Sequence, residues 1–220
     1  MIIITLTDIH AHTGAISALA TQLQSADLVL LSGDITHFGH KKEMAALINL
    51  IRSFNPSVYA VSGNCDYPDA EEFLAEENIS LNGITREFQG HAFYGLSGSL
   101  PCPGKTPHEY SEEEFEVFLR DLKFSDGLPQ IMVSHQPPYN TINDQVSPGV
   151  HVGSKSIRKF IEERQPLVCF TGHIHEGTGI DHIGKTALVN PGPAGRGTYA
   201  LTEILNGQIK RLEVAQPFRG

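Results

Sequence analysis

Basic residues are scarce in this 220-residue chain: 16 Lys and Arg stand against 25 Asp and Glu, a net charge of −9. Nucleic acid and anionic membranes both reward basic patches, so neither is expected as the main partner. Cysteine is scarcer still. Cys65, Cys102 and Cys169 make an odd set with no C-x-x-C spacing, which excludes a disulfide framework and fits reduced thiols in a cytoplasmic protein. Long apolar runs are missing too. Met1–Leu6 is apolar but far too short for a signal peptide or a membrane span. Nor does any repeat, linker or low-complexity tract break the chain, so residues 1–220 are expected to form one domain, large enough to bury a core without disulfide staples. What is plentiful is histidine, with 11 residues. An acidic chain handles phosphate only if cations come from outside the sequence, and histidine is the residue that recruits them.

Apolar runs and amphipathic stretches alternate along the first half. Met1–Leu6, Asp27–Leu31 and Ser57–Val61 are expected strands; Ala15–Leu23, Lys41–Phe54 and Asp69–Glu77 are expected helices, the second stopped by Pro56. Ile79–Gly98 predicts short antiparallel strands. Ser111 and Glu114 make a capping-box pattern ahead of a stripe of Phe115, Phe118, Leu119 and Leu122. Gln130–Val133, Pro166–Phe170 and Thr186–Val189 are further strands, Ser156–Arg164 a helix, and Asn206-Gly207 marks a hairpin between Thr198–Leu205 and Gln208–Val214. Thr141–Gly153 has no clear pattern and is expected to be an active-site loop. Strand–helix alternation argues a mostly parallel sheet, and the hairpin adds antiparallel strands.

Five of these strands end in metal-ligand residue types: Asp8-Ile9-His10, Gly33-Asp34, Gly63-Asn64, Ser134-His135 and Gly172-His173-Ile174-His175. Strand C-terminal ends in α/β sheets open onto one crevice, so groups scattered in sequence converge in space. Glycine ahead of Asp34, Asn64 and His173 lets the chain turn and aim the next side chain inward. Carboxylate, amide and imidazole donors without thiolate suit manganese, iron, nickel or zinc. Asp8, His10, Asp34, Asn64, His135, His173 and His175 are too many for one ion with water and substrate, and suit two ions sharing a carboxylate. Each cluster alone has a plain explanation: a turn-capping aspartate, a loop histidine, a turn asparagine. Five such accidents in consistent order are not a plain explanation.

That order, Asp-x-His, Gly-Asp, Gly-Asn-x-Asp, His, Gly-His-x-His, resembles the calcineurin-like metallophosphoesterase family from Asp8 to Asn190. The resemblance implies an α/β fold of four layers, an αββα sandwich of two mixed β-sheets flanked by helices (the metallo-dependent phosphatase fold). It implies two divalent metal ions, with Asp8, His10 and His175 on the first, Asn64, His135 and His173 on the second, and Asp34 bridging. Asp34, Asn64 and His135 are then the residues expected to carry the hydrolysis of a small phosphate ester, a diester ahead of a monoester, by in-line attack of a metal-bridging hydroxide. The rivals are a phosphomonoesterase, a nucleotide pyrophosphatase, or a non-catalytic interaction module that keeps the metal-binding residues; a homo-oligomer is compatible with all of them.

Cys65 departs from the family pattern, standing where many members have a histidine, and an adjacent cation is expected to draw it toward thiolate, unfit as a general acid. Asp66 is expected to orient a ligand imidazole. His37 lies close enough in sequence to contact phosphate, and His12 and His151 are weaker candidates for the same role. His40, His91, His108 and His182 read as surface residues, and Glu71–Glu77 and Glu112–Glu116 as solvated helix faces. Asn190 is expected to shape the site wall.

Overall fold

The computed structural model describes residues 1–125 and 127–216. β1 (Ile2–Leu6) and β2 (Leu28–Ser32) run parallel and almost wholly buried, as continuous apolar strands should. Between them the expected helix Ala15–Leu23 is two shorter ones, α1 (Thr13–Ala18) and α2 (Ala20–Ser25). The break falls at Leu19, whose N–H is shared between the carbonyls of Ala15 and Ile16. The apolar spacing survives the break, because Ile16, Leu19 and Leu23 still enter one core. α3 (Lys41–Phe54) ends as Pro56 requires: Asn55 ahead of it is extended, at φ −146°. β3 (Val58–Val61) and α4 (Pro68–Glu76) follow.

β4 (Arg86–Phe88) and β5 (His91–Leu96) form the expected antiparallel pair, but β5 also pairs parallel to β6 (Gln130–Ser134). Before β6 comes α5 (Glu112–Asp121), whose capping box is present in both halves: Glu114 N–H donates to Ser111 Oγ and Ser111 N–H to Glu114 Oε2. Thr141–Gly153 is more ordered than a bare loop. It holds a 3-10 turn and the strands β7 (Gln145–Ser147) and β8 (Val150–His151). Buried Asp144 organises it by accepting from the N–H groups of Asn140, Thr141 and Gly153 and from His151. After α6 (Lys155–Arg164) come β9 (Val168–Phe170), β10 (Gly179–Ile183) and β11 (Thr186–Asn190). β10 escapes sequence reading because it is a partly exposed edge strand carrying Asp181 and His182. β12 (Tyr199–Leu205) and β13 (Gln208–Ala215) close the chain through Asn206 and Gly207, both at positive φ as the turn demands.

One sheet has the order β13-β12-β1-β2-β3 and the other β10-β11-β9-β6-β5-β4. Both mix parallel and antiparallel pairs. Ile3, Leu30 and Val61 of the first pack on Phe93, Val133 and Phe170 of the second. α1 to α4 cover the outer face of the first sheet, and α5 and α6 that of the second. This is the expected four-layer sandwich, with about 1.5–3 kcal/mol from each fully buried aliphatic side chain holding the layers together. Its parallel strands β1, β2, β3, β6 and β9 all deliver their C-terminal ends to one crest. No described helix is long and apolar enough to cross a membrane.

Candidate metal centre

At that crest the two sheets are stitched by polar contacts. Ser32, ending β2, donates through Oγ to the Thr171 carbonyl beyond β9, and its own carbonyl lies 2.8 Å from His135 Nδ1 beyond β6. Asp8 N–H donates to the Gly33 carbonyl, His10 N–H to that of Asp34, and His173 N–H to Asp8 Oδ2. Asn64 beyond β3 joins them through its Oδ1, 2.9 Å from His135 Nε2, so all five strand ends meet as their sequence motifs foretell.

Three groupings within this crest have the spacing to hold a cation: Asp8, His10 and His175; Asp8, Asp34 and His135; and His10, Asp34 and Cys65. Asp8 Oδ1 lies 3.3 Å from His175 Nε2 and 3.9 Å from His10 Nε2, while Asp34 stands between the halves, 3.8 Å from His10 and 3.4 Å from His135. His173 packs edge-on to His135, with ring centroids 5.2 Å apart. The third grouping departs from the sequence reading, which kept thiols out of the donor set: Cys65 brings its sulfur to the centre, buried beside Asp34, and its N–H donates to Asp34 Oδ1.

A metal fits these residues on two observations. Asp8 Oδ1 is buried with no hydrogen-bond partner, which is costly unless a cation satisfies it. At the other end, His135 Nδ1 faces a backbone carbonyl and must carry the proton there. A neutral His135 then turns a bare lone pair on Nε2 toward Asn64 Oδ1 at 2.9 Å and Asp34 Oδ1 at 3.4 Å. Three acceptors aimed at one point repel unless a positive charge lies between them. In the metal-free chain a proton does that work. Burial opposes it, but the Asp34 carboxylate raises His135 to about 9. Asp34 in turn is held well below the usual carboxylate range, burial notwithstanding, by His135 and then His10. Burial, then the neighbouring His135, lowers His173 to about 4, and burial lowers His10, which leaves both imidazoles neutral and ready to ligate. His175 is raised by its contact with Asp8, against burial and the charge of Arg196.

Backbone conformation marks the same residues. Asp8, His10, Asp34 and His173 all have positive φ, between 46° and 67°, a region where non-glycine residues are uncommon and which collects at functional sites. The glycines before them do two different jobs. Gly33, at φ 95°, makes the turn expected of it. All three are also needed for closeness: a Cβ at Gly33 would stand 2.2 Å from His135 Nδ1, one at Gly63 2.1 Å from Asp34 Oδ1, and one at Gly172 2.0 Å from Thr7 Oγ1.

Other expectations are corrected. Asp66 touches no imidazole; fully buried, it accepts from the N–H groups of Ile35, Thr36 and Gly63 and from the Thr36 hydroxyl, tying the Asp34 loop to the Asn64 loop. Burial, then Asp34, raises it to about 6. His135 is oriented by the Ser32 carbonyl in its place. His91 and His108 are buried rather than on the surface. His108 faces Ser62 Oγ through Nδ1 and Tyr110 OH through Nε2, and burial holds it near 4. Glu71 is no solvated residue, since Ser62, Ser80 and Ser97 all donate to it, and Glu112 receives Ser154 Oγ and the Lys155 and Ser156 N–H groups at the start of α6. His40 and His182 are exposed as expected. His37 is exposed at the lip, its ring 5.6 Å from that of His10. His12 and His151 instead make local contacts, with the Ile9 carbonyl and Asp144. Asn190 donates to the Ile174 carbonyl, bracing the His173–His175 turn. Thr106 and Glu109, behind Asn64, carry no signal in the sequence beyond lying in a proline-flanked loop.

Residues 1–177 match the model of the calcineurin-like phosphoesterase family. The chain is 37% identical over 199 residues, 88% of each chain, to the uncharacterized protein MJ1162 of Methanocaldococcus jannaschii. It is 26% identical to a probable glycerophosphodiester phosphodiesterase, GpdQ, of Arcobacter nitrofigilis, covering 68% of this chain but 56% of that one. Among solved structures, TT1561 of Thermus thermophilus superposes with a TM-score of 0.76 over 98% of both chains at 20% identity. The purple acid phosphatase PPD1 of yellow lupin does so at 0.62 and 11% identity, over 97% of this chain and 53% of that one.

Proposed function

This chain belongs to the calcineurin-like phosphoesterase family, and from that premise we propose that it hydrolyses a small phosphodiester on a centre of two divalent cations. One observation carries the reading: buried groups from four strand ends converge, Asp8 Oδ1 without a hydrogen-bond partner on one side, and on the other the Asn64 and Asp34 oxygens facing His135 Nε2 at 2.9 and 3.4 Å. Asp8, His10 and His175 are assigned to the first cation, Asn64, His135 and His173 to the second, and Asp34 to both. Bound cations supply Lewis acidity and an activated water, and neutralise the phosphate oxygens. The chain's own residues hold the donors at fixed spacing, keep the His10 and His173 imidazoles neutral by burial, and shield the carboxylates from water. Manganese, nickel, iron(II) and zinc all suit the nitrogen and oxygen donors.

The diester preference rests on charge. Lys41 is engaged with Glu76 on the protein surface, and Arg196 is the cation whose field reaches His175. With little basic help at the site, a substrate of one negative charge fits better than a monoester of two. The glycerophosphodiester phosphodiesterase relative points the same way. On matched aryl esters, kcat/KM is expected to favour the diester by about tenfold, some 1.4 kcal/mol of differential binding. A clear monoester advantage reverses the assignment of substrate class.

Proton donation to the leaving oxygen does not fall to Cys65. Without a cation, burial and then Asp34 push its thiol far above the usual range. With cations beside it the thiol is drawn toward thiolate, which has no proton to give. Neither form is a general acid near neutral pH, where matched donors contribute about 10²–10⁴-fold. We assign donation instead to His37, exposed at the lip with its ring 5.6 Å from that of His10. Cys65→Ala is expected to leave turnover of an activated aryl ester within about threefold, while Cys65→His favours poor leaving groups and flattens the dependence on leaving-group pKa. Turnover abolished in Cys65→Ala with both metals still bound assigns the thiol a direct role.

A further inference from the structure

The loop after β5 folds back over the Asn64 end of the centre, where the His108 N–H donates to the Asn64 carbonyl. Behind the Asn64 side chain lies a short polar chain. Asn64 Nδ2 donates to Thr106 Oγ1 at 3.0 Å, and Thr106 Oγ1 donates to Glu109 Oε1 at 2.7 Å. The same carboxylate oxygen accepts from the Thr106 N–H at 2.7 Å, the Cys102 N–H at 3.3 Å and the Cys102 thiol at 3.2 Å. These donors, the Thr106 side chain and backbone ahead of the Cys102 pair, outweigh partial burial and keep Glu109 ionised, below the usual glutamate range. An ionised carboxylate only accepts.

Directionality follows. A hydroxyl has one proton, and the charge-assisted bond to Glu109 takes it. Thr106 Oγ1 can therefore only accept on its other side, so Asn64 must present its NH₂ there. An amide has two ends, and pinning one aims the other. We propose that Thr106 and Glu109 are positioning residues that decide which end of the Asn64 amide faces the second cation, an inference that rests on the two-cation reading above. Without them the amide is free to turn its NH₂ toward the centre, where it donates to His135 Nε2 or Asp34 and repels a cation instead of ligating it.

The test uses the full-length, metal-stripped protein titrated with Mn²⁺ by calorimetry, with circular dichroism to confirm folding. The unaltered protein should bind two ions. Thr106→Val, the same shape without the hydroxyl, should weaken one ion about 10–100-fold, the loss typical when a group supporting a ligand is removed, and leave the other unchanged. Thr106→Ser should restore both. Glu109→Gln, whose amide can donate to Thr106 and release its proton toward Asn64, should weaken the same ion, and it keeps the test open should Thr106→Val not fold. In an Asn64→Asp background, whose side chain offers oxygen whichever way it turns, Thr106→Val should add no further loss; a purely structural role would add the same loss there. Fewer than two ions on the unaltered protein overturns the two-cation reading and this inference with it. Two ions on the unaltered protein, held with equal affinity by Thr106→Val or by Glu109→Gln, overturns this inference alone.

Discussion

Asp34→Asn is expected to lower kcat by about 10³-fold on any phosphate ester the protein hydrolyses, and to reduce bound metal from two ions to one or none. Lewis-acid stabilisation is worth several kcal/mol, and each 1.36 kcal/mol lost is tenfold in rate. Asparagine is the informative replacement because it preserves shape. Its oxygen can still accept the Cys65 N–H, which donates to Asp34 Oδ1 at 2.8 Å, so the loop has no reason to move. What is lost is one negative charge and one acceptor. Asp34 stands between His10 and His135, at 3.8 Å and 3.4 Å, and is the carboxylate that both sides of the centre share. An amide in its place gives one side an oxygen and the other an NH₂, which repels a cation. His182→Ala on exposed β10 is the control and should keep wild-type rate and metal content; His91 is buried and makes a poorer one. Wild-type rate and two bound ions in Asp34→Asn would refute the shared-carboxylate assignment.

Much of the fold was legible because the buried strands are continuous apolar runs, and a strand buried on both faces has little else to be. The motifs at their ends were legible for the same reason: Gly33-Asp34 or Gly172-His173 can be read only once the strand before each is recognised. Element details failed where tertiary context decides. Leu19 breaks one apolar stripe into two helices without changing the stripe, and β10 is a strand because β11 lies beside it, not because Gly179–Ile183 is apolar. The site residues invisible to sequence act through contacts between distant segments. His108 looked like a surface histidine because its partner Ser62 lies 46 positions away, and Thr106 meets Asn64 across 42. Asp66 orients no imidazole because its lone pairs are used by backbone N–H groups that no side-chain pattern reveals.

Removing the metal is expected to abolish hydrolysis and to lower the unfolding temperature by about 8–16 °C. An ion present at a thousand times its dissociation constant adds about 4 kcal/mol to the folded state, and a domain of this size shifts by roughly 2–4 °C per kcal/mol. Chelation leaves Asp8 Oδ1 buried and unpartnered, while the Asn64, Asp34 and His135 acceptors must take up a proton in place of the cation. Asp34 overcomes burial to raise His135 to about 9 in the metal-free chain, above its unfolded value of about 6.5. The stability from that raised group is fully present below about pH 6.5 and lost as pH rises through about 9. The chelated protein should therefore melt progressively lower between those limits. The metal-loaded protein, with no proton to lose at that point, should stay flat over the same range. Binding should also release a proton near neutral pH, visible as a dependence of calorimetric heat on the buffer. Activity should return with manganese, nickel, iron(II) or zinc, and most fully with whichever ion restores the flat profile. Full hydrolysis and an unchanged melting curve in a sample verified to hold no metal would remove the basis for assigning these seven residues to cations.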